Sequence, residues 1–206
     1  MLMLCRHVIN ALSYSAAMAI TPIAKAHLRR KVRAALKQMP AEDRHARSLA
    51  ICERLIPFIR RAGNVALFAP RPDEPDLKLL DSSGLWIGRA VLFPRLDGST
   101  LTFAPAHNWA ELQPGKFGLL TPVRPASSLA PHLVLVPGLA FNRRGDRLGR
   151  GAGFYDRYLA GLDPVVVTVG VAFHLQLIDD LPREAHDFRV RAVVTEQETI
   201  RVTRNA

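Results

Sequence analysis

The sequence predicts an α/β protein with a single domain, in which a mixed or mostly parallel sheet is flanked by helices and preceded by an N-terminal pair of helices. Two stretches with apolar residues at helical spacing precede residue 63, and short continuous apolar runs punctuated by Pro and Gly follow it. Helical segments fall between those runs. Continuous apolar runs are typical of strands covered on both faces, which favours an α/β architecture.

The two N-terminal helices have recognisable starts. Thr21-Pro22 places a hydroxyl N-cap before a proline at the first helical position, and the helix is predicted to reach residue 38 with an apolar face of Leu28, Val32, Leu36 and Met39. The second helix is predicted from Pro40 to Gly63, with acidic residues in its first turn. Its predicted apolar face comprises Leu49, Cys52, Leu55, Ile56 and Ile59.

The apolar runs predict six strands: Val65–Ala69, Ala90–Phe93, Leu101–Ala104, Leu133–Val136, Val165–Phe173 and Ala192–Thr195. Helical segments are predicted near Asp76–Leu80 and over Phe154–Leu162. No internal repeat or low-complexity linker divides the chain. Residues 22–206 are therefore predicted to form one domain.

The composition excludes several classes of protein. The chain of 206 residues is 49% apolar and 22% charged, so it is neither disordered nor collagenous. Cys5 and Cys52 form no metal-ligand spacing and no framework of pairs, which favours a reducing compartment, the cytoplasm. No stretch approaches the roughly 20 apolar residues of a membrane span, so we expect no membrane partner.

Residues 1–21 are predicted to be a leader outside the domain, either a disordered segment or the product of a start codon assigned upstream of the real one. The basic start, the apolar stretch and the small residues near Ala24 also resemble a targeting peptide, which stays open as an alternative. Cleavage after Ala26 would remove Lys25, a candidate site residue.

The net charge of +10 is concentrated near the start of the chain. Residues 1–62 hold 12 Lys and Arg against 3 Asp and Glu, whereas residues 63–206 hold 16 against 15. Such asymmetry is typical of proteins that bind nucleic acid, an anionic membrane or a polyanionic small ligand, although a proteome rich in arginine produces the same surplus. Because the sequence contains no recognised nucleic-acid module and few aromatic residues beside the basic ones, we expect no nucleic-acid partner.

A glycine-rich loop between a buried strand and a helix is the most informative segment. Glycines at 149, 151 and 153 allow successive backbone N–H groups to converge on an anion, and Arg147 and Arg150 supply forked donors suited to phosphate. The spacing matches neither common nucleotide fingerprint, and a tight strand-to-helix turn is the alternative. Asp156 is either a ligand for phosphate-bound Mg²⁺ or an acid that stabilises the helix start.

Three further positions have a functional and a structural interpretation. Lys25, Arg29 and Arg33 follow one stripe of the first helix at a spacing of four residues, where they either hold an anion or form a solvated face. Glu74, in a loop after a buried strand, either binds an amine-rich heterocycle or starts the next helix. Asp187 is either a second Mg²⁺ carboxylate or a turn residue.

The run Val136-Pro137-Gly138-Leu139-Ala140-Phe141, followed by Gly145 and by residues 147–157, closely resembles the signature of the 5-formyltetrahydrofolate cyclo-ligase family, whose members are also called 5,10-methenyltetrahydrofolate synthetases. The resemblance extends over about residues 25–196. Supporting matches occur in the same order along the chain: residues 25–29, 72–74, 93–95, 117–119 with Pro122, and 186–187.

The resemblance implies an enzyme that uses ATP and Mg²⁺ to convert 5-formyltetrahydrofolate to 5,10-methenyltetrahydrofolate, with release of ADP and phosphate. In the family reaction the formyl oxygen attacks the γ-phosphorus of ATP, and N10 closes the ring as phosphate leaves. The expected partner is a reduced formylated folate, and the expected protein is a monomer or a weak homo-oligomer. A relative that acts on another formylated or carboxylated metabolite is the remaining alternative.

The resemblance also implies the roles of individual residues. Lys25, Arg29 and Arg147 would be catalytic, and the nucleotide would contact these three together with Leu148, Gly149, Arg150, Gly151, Ala152, Gly153, Phe154 and Tyr155. The folate would contact Arg29, Ala69, Glu74, Phe117, Arg150 and Phe154, and Mg²⁺ would be held by Asp156 and Asp187. Three positions depart from the family pattern: Phe154 replaces a frequent Tyr, Thr121 a Glu or Gln, and Arg191 an Asp.

Overall fold

The computed structural model describes residues 22–126, 128–184 and 186–203, without the side chains of residues 82 and 83. The predicted leader lies outside the described residues. Helix α1 covers residues 22–38 and helix α2 covers Ala41–Arg60, which confirms the N-terminal helical pair. No helix in the described ranges is both long enough and apolar enough to cross a membrane.

The buried face of α2 differs by a small rotation from the predicted one. Leu49, which was predicted to be buried, is exposed, whereas Ser48 and Ile51 are buried beside Leu55. Ser48 can be buried because its hydroxyl donates to Arg44 O at 2.7 Å and accepts from Asp76 N at 3.0 Å. A polar residue with both bonds satisfied therefore occupies a position that hydropathy alone assigns to the surface.

The strands are β1 (Val65–Ala66), β2 (Val91–Asp97), β3 (Thr100–Pro105), β4 (Leu112–Pro114), β5 (Leu120–Pro122), β6 (Leu133–Pro137), β7 (Ala140–Phe141), β8 (Arg147–Leu148), β9 (Val167–Val171), β10 (Ala192–Val194) and β11 (Thr199–Arg201). Seven of them form one sheet in the order β11-β10-β9-β6-β1-β2-β3. The pairs from β10 to β2 are parallel, and the edge strands β3 and β11 are antiparallel to their neighbours. The sheet is therefore mixed and mostly parallel, as predicted.

All six predicted strands are present, and the differences lie at their ends. Only Val65–Ala66 of the first predicted run forms a strand, although Leu67 N still donates to Leu92 O at 2.8 Å before the chain enters a loop. The hairpins β4–β5 and β7–β8 and the edge strand β11 were not predicted, since these short strands form no separate continuous apolar run. The segment near Asp76 is a 3₁₀ helix, Leu77–Ser83, and the last helical segment is helix α3, Phe154–Ala160.

Both faces of the sheet are covered. In β6, Leu133 and Leu135 pack into the cluster that includes α1 and α2, whereas Val134 and Val136 pack into a second cluster with residues of α3. Strand β1 lies between β6 and β2, so the chain runs outward from β1 in both directions along the sheet. In open α/β sheets such a point of reversal leaves a crevice at the carboxyl ends of the strands, and ligands bind there.

Candidate functional site

A cavity of about 540 Å³ lies at the carboxyl ends of β1 and β6. Its wall includes many of the residues predicted to bind nucleotide or folate: Ala69, Glu74, Phe117, Arg147, Gly149, Arg150, Ala152, Gly153, Phe154, Tyr155 and Asp156. Five other predicted residues lie outside this wall: Lys25, Arg29, Leu148, Gly151 and Asp187. The structure therefore gathers most of the predicted site around one cavity.

The basic stripe of α1 faces the glycine loop. Arg29 donates from Nε to Gly149 O at 2.9 Å, and Arg33 donates from Nη2 to Arg150 O at 3.5 Å. The stripe is therefore not simply a solvated face, since Arg29 fixes a loop carbonyl, whereas Arg33 is exposed and makes only a long contact. No described residue accepts a hydrogen bond from Nη1 or Nη2 of Arg29.

The backbone amides of the loop have no partners among the described residues. Within the described part of the chain, the N–H groups of residues 149–153 donate no hydrogen bond, although Arg157 donates to Ala152 O at 3.1 Å. Gly151 has φ 117° and Gly153 has φ 68°, which glycine adopts without the strain that a Cβ would cause. The loop thus has three carbonyls that accept from arginines, and its amides, without partners among the described residues, can donate to an anion.

Arg147 is buried at the base of this loop. It donates from Nη1 to Pro137 O at 3.1 Å and from Nη2 to Asp156 Oδ1 at 2.7 Å. A Cβ at residue 149 would lie 3.0 Å from Nη1, so the glycine there leaves room for the guanidinium. Asp156 is therefore not merely a helix-start acid, because it also anchors Arg147 beside the cavity.

Two buried polar atoms at the cavity wall have no hydrogen-bond partner among the described residues: Tyr155 OH and Arg147 Nε. Burial raises the pKa of Tyr155, and the charge of Glu74 adds to the effect, so the phenol stays protonated and able to donate. Nearly all buried polar groups in proteins are paired. Unpaired ones in a cavity wall are candidate contacts for a ligand.

Glu74 is a buried acceptor and not a helix start. It is 6% exposed, and its Oε1 accepts from Arg150 Nε at 3.1 Å and Nη2 at 2.9 Å, while Oε2 accepts from Arg71 N at 3.0 Å. Asp76 caps the following 3₁₀ helix instead. Burial raises the pKa of Glu74, and the Arg150 charge opposes this only in part.

Two aromatic rings meet at the cavity from different elements. Phe117, between β4 and β5, lies 5.8 Å from Phe154 at the start of α3, measured between ring centroids. Phe117 is 67% exposed and has φ 58°, the only positive φ of a non-glycine residue in the described ranges. Arg71 donates from Nη2 to Phe117 O at 2.5 Å. The strained backbone is thus held by a residue that also lines the cavity.

Lys25 belongs to a separate ionic cluster with residues near the end of the chain. Its Nζ lies 2.6 Å from both Glu184 Oε2 and Asp187 Oδ2, and Asp187 Oδ2 also accepts from Glu184 N at 2.6 Å. Glu184, His186 and Asp187 present ligand atoms within 4.8 Å of one another. Asp187 is thus a turn residue as well as a partner of Lys25.

Arg29 connects this cluster to the cavity electrostatically. Burial and the neighbouring Arg33 lower the pKa of Arg29, whereas the charges of Asp187, Glu184 and Asp156 raise it. One guanidinium therefore lies within range of carboxylates from both groups. Glu184 and Arg71 were not predicted as site residues, because an isolated charge in a loop has no spacing that identifies it.

The sheet topology and this cavity define an α/β protein with a candidate site at the carboxyl edge of the sheet. The sequence model of the 5-formyltetrahydrofolate cyclo-ligase family matches residues 22–196. The chain therefore belongs to the 5-formyltetrahydrofolate cyclo-ligase family, whose members are ligases.

Relatives and solved structures agree with this membership. The chain is 31% identical over 186 residues to the 5-formyltetrahydrofolate cyclo-ligase of Mycolicibacterium smegmatis, an alignment that covers 85% of this chain and 95% of the relative. It superposes on the NMR structure of Aquifex aeolicus 5,10-methenyltetrahydrofolate synthetase with a TM-score of 0.76 and 33% identity, over 88% of this chain and 94% of the other. The Mycoplasma pneumoniae 5,10-methenyltetrahydrofolate synthetase, at 18% identity, shares the fold with a TM-score of 0.68 over 84% of this chain and 98% of its own.

Proposed function

We propose that this protein converts 5-formyltetrahydrofolate to 5,10-methenyltetrahydrofolate, using ATP and Mg²⁺ and releasing ADP and phosphate. The observation that carries the proposal is the row of amides at residues 149–153 that lack a partner among the described residues, beside a cavity of about 540 Å³. Such a row suits phosphate oxygens, and the cavity volume suits a ligand of folate size. The substrate follows from the names of the relatives in the family.

The residues assigned to ATP retain donors for phosphate. The free Nη1 and Nη2 of Arg29 would supplement the loop amides, and Arg147 Nε is a further unpaired donor. An ammonium group has three donors, of which Lys25 uses two on Glu184 and Asp187. Cations and amides that are fixed before the substrate binds stabilise phosphoryl transfer without reorganisation during the reaction.

The carboxylates fit Mg²⁺, which prefers oxygen ligands and often binds one or two carboxylates plus substrate phosphates. Asp156 borders the cavity, and no described residue donates a hydrogen bond to its Oδ2. Lys25 Nζ and Glu184 N donate to Oδ2 of Asp187, so its Oδ1 would be available to bind the ion. A bound ion would neutralise charge on the phosphates.

The remaining wall of the cavity suits a reduced folate. Phe117 and Phe154 offer aromatic faces, and Leu96 and Leu101 line the same cavity. The Glu74 carboxylate is the acceptor proposed for the amine-rich ring system, because a carboxylate has about four acceptor positions and here receives donors only from Arg150 and Arg71. The substrate would therefore lie between aromatic rings with its polar ring edge at Glu74.

The proposed reaction needs positioning more than a protein nucleophile. The formyl oxygen bonds to the γ-phosphorus as the bond to the β-phosphate oxygen breaks, and ADP leaves. N10 then adds to the formyl carbon, the carbon–oxygen bond breaks, and phosphate leaves with that oxygen while the N10 proton goes to solvent. Phosphorylation converts a poor leaving group into a good one, so the protein has to align the groups and neutralise charge.

The test is formation of the methenyl product by the purified protein, recorded by its near-ultraviolet absorbance. We expect an absorbance rise that requires ATP and Mg²⁺ together, with one ADP released per product. Absence of the rise in the complete mixture would overturn the proposal. ADP release with another formylated or carboxylated metabolite, and none with 5-formyltetrahydrofolate, would assign the site to that other substrate instead.

The proposal retains three expectations from the sequence. The cytoplasm is the expected compartment, because the two cysteines form no framework of pairs. The protein is expected to act as a monomer or a weak homo-oligomer. It is expected to act without nucleic acid, and any RNA or DNA affinity would fall steeply with added salt.

A further inference from the structure

Three arginines converge on the buried carboxylate of Asp146, which is 3% exposed. Arg189 Nε lies 2.6 Å from Asp146 Oδ1, Arg183 Nε lies 3.3 Å from the same oxygen, and Arg144 Nε lies 3.5 Å from Oδ2. Burial disfavours the charged carboxylate, but hydrogen bonds from Arg189 and Asn142 outweigh this effect, so the pKa of Asp146 is lowered. The carboxylate is therefore ionised and binds its arginines as a fixed negative charge.

Two of these arginines stand at the two ends of one segment, residues 183–189, of which the structure describes all but one residue. Arg183 begins the segment and Arg189 ends it, so both ends are attached to a single oxygen of Asp146. The neighbouring backbone strengthens the second attachment, because Val190 N donates to Gly145 O at 3.0 Å. Both described parts of the 183–189 segment are thus fixed to the chain just before β8.

The same segment holds Lys25. Glu184 and Asp187 lie between the two attached ends, and each contacts Lys25 Nζ at 2.6 Å. The only other hydrogen bonds within the described part of the segment join Glu184 and Asp187 to each other. Phe188 also packs against the second hydrophobic cluster, so the ionic contacts with Asp146 supplement this packing in fixing the two carboxylates relative to the glycine loop.

We propose that Asp146 is a positioning residue for Lys25, acting through the 183–189 segment that its carboxylate fixes at both ends. The inference rests on the proposed function, in which the Lys25 ammonium contacts ATP phosphates. Asp146 directly precedes Arg147, which is paired with Asp156 at the cavity. Two adjacent residues thus fix the groups on the two sides of the phosphate site.

The physical reason for this arrangement is that the buried charge of Lys25 is unfavourable unless its partner carboxylates are held in place. Lys25 is buried, and a buried ammonium needs its carboxylates in place because its own desolvation is unfavourable. If the ends of the segment were released, the carboxylates would follow the segment and Lys25 would lose its fixed geometry. Residues that orient directly binding groups typically change affinity by about 10- to 100-fold when removed, as measured at metal sites.

The test replaces the arginines and leaves Asp146 in place, because the buried carboxylate then keeps its hydrogen bond from Asn142 Nδ2 at 2.9 Å and its contact with Arg144. The double variant Arg183→Met/Arg189→Met releases both ends of the segment. The control Arg143→Met/Arg144→Met removes equal charge from the same region, including a third contact of Asp146, without touching the segment. The Arg183→Lys/Arg189→Lys variant restores the charges at both ends.

We expect the double methionine variant to bind ATP with Mg²⁺ about tenfold more weakly by calorimetry, with faster hydrogen exchange in residues 183–189 and an unchanged folate KM. The control should bind ATP like the wild type, and the lysine variant should recover most of the affinity. ATP affinity unchanged in the double methionine variant would overturn the inference, whatever the exchange shows. Calorimetry needs no turnover, so absence of methenyl product in the wild type would overturn the proposed function separately.

Discussion

Arg147 Nη2 donates to Asp156 Oδ1 at 2.7 Å, and this ion pair closes the glycine loop at its base. The two residues are nine positions apart and flank residues 149–153, so their contact brings together the start of β8 and the first turn of α3. The loop between them is left with its amides unpaired within the described ranges. The pair therefore defines the shape of the proposed phosphate site.

Replacing Arg147 by lysine should impair the reaction while keeping the charge. A lysine cannot reach Pro137 O and Asp156 with two separate nitrogens, as the planar guanidinium does. We expect turnover to fall about 100-fold, as for loss of one preorganised donor. Steady-state methenyl formation measures this. Arg143→Lys, at an exposed ion pair, is the control, and a normal rate in Arg147→Lys would remove the role given to the forked donor.

Asp156→Asn should increase the concentration of Mg²⁺ needed for half-maximal rate. A neutral amide is a weaker ligand for Mg²⁺ than a carboxylate, and it leaves Arg147 without its counter-charge. The Mg²⁺ dependence of methenyl formation at saturating ATP measures the change. Asp97→Asn, an exposed acid on β2, should leave the dependence as it is. An identical Mg²⁺ dependence in Asp156→Asn would move the ligand role to another residue.

Phe117→Gly should affect folate binding and stability in opposite directions. The ring is exposed, so little buried area is lost, while a non-glycine residue at φ 58° costs about 1 kcal/mol or more in backbone strain. The substitution removes this strain, but the greater conformational entropy of glycine in the unfolded state offsets about 0.4–1 kcal/mol of the gain in stability. We therefore expect an unfolding free energy equal to or above that of the wild type, measured by urea denaturation.

The same variant should raise the KM for 5-formyltetrahydrofolate, because the ring opposite Phe154 is gone. The KM for ATP should stay as in the wild type. Val123→Ala, at another exposed apolar residue after the β4–β5 hairpin, serves as the control. An unchanged folate KM in Phe117→Gly would show that this ring is not part of the folate site.

Glu74→Gln should alter how stability depends on pH. Burial raises the pKa of Glu74 above its ordinary value, so ionisation of this group in the folded state becomes unfavourable. Its contribution to the unfolding free energy is full below the ordinary glutamate pKa and is lost as pH rises through the raised folded value. The Glu74→Gln variant has no ionisable group at this position, so its unfolding free energy does not decrease with pH for this reason.

The measurement is the unfolding free energy of the wild type and Glu74→Gln at about pH 4 and about pH 8. The stability of the variant relative to the wild type should increase between the two values. A difference that is constant with pH, or that shifts in favour of the wild type, would contradict the assignment of Glu74 as a carboxyl destabilised by burial.

Much of the fold could be predicted because helices and buried strands have periodic or continuous apolar patterns. The runs at Leu133–Pro137 and Val167–Val171 are examples, and both are central strands. The hairpins β4–β5 and β7–β8 were missed because their two- or three-residue strands depend on tertiary contacts and not on local pattern.

The candidate site was likewise predicted only where local sequence spacing carries the signal. The glycine loop was identified from local spacing, whereas the partners of its cations were not. Lys25 meets Glu184 across 159 positions, and Arg150 meets Glu74 across 76. No property of a single loop residue encodes such a partner, because the sheet topology brings the two together. Asp146 and its arginines escaped prediction for the same reason.

The most direct test of the central claim is a crystal structure of the protein with a non-hydrolysable ATP analogue and Mg²⁺. We predict that the triphosphate contacts the backbone amides of residues 149–153 and that Asp156 binds the ion. A triphosphate bound elsewhere, with those amides remaining without a phosphate partner, would contradict the account.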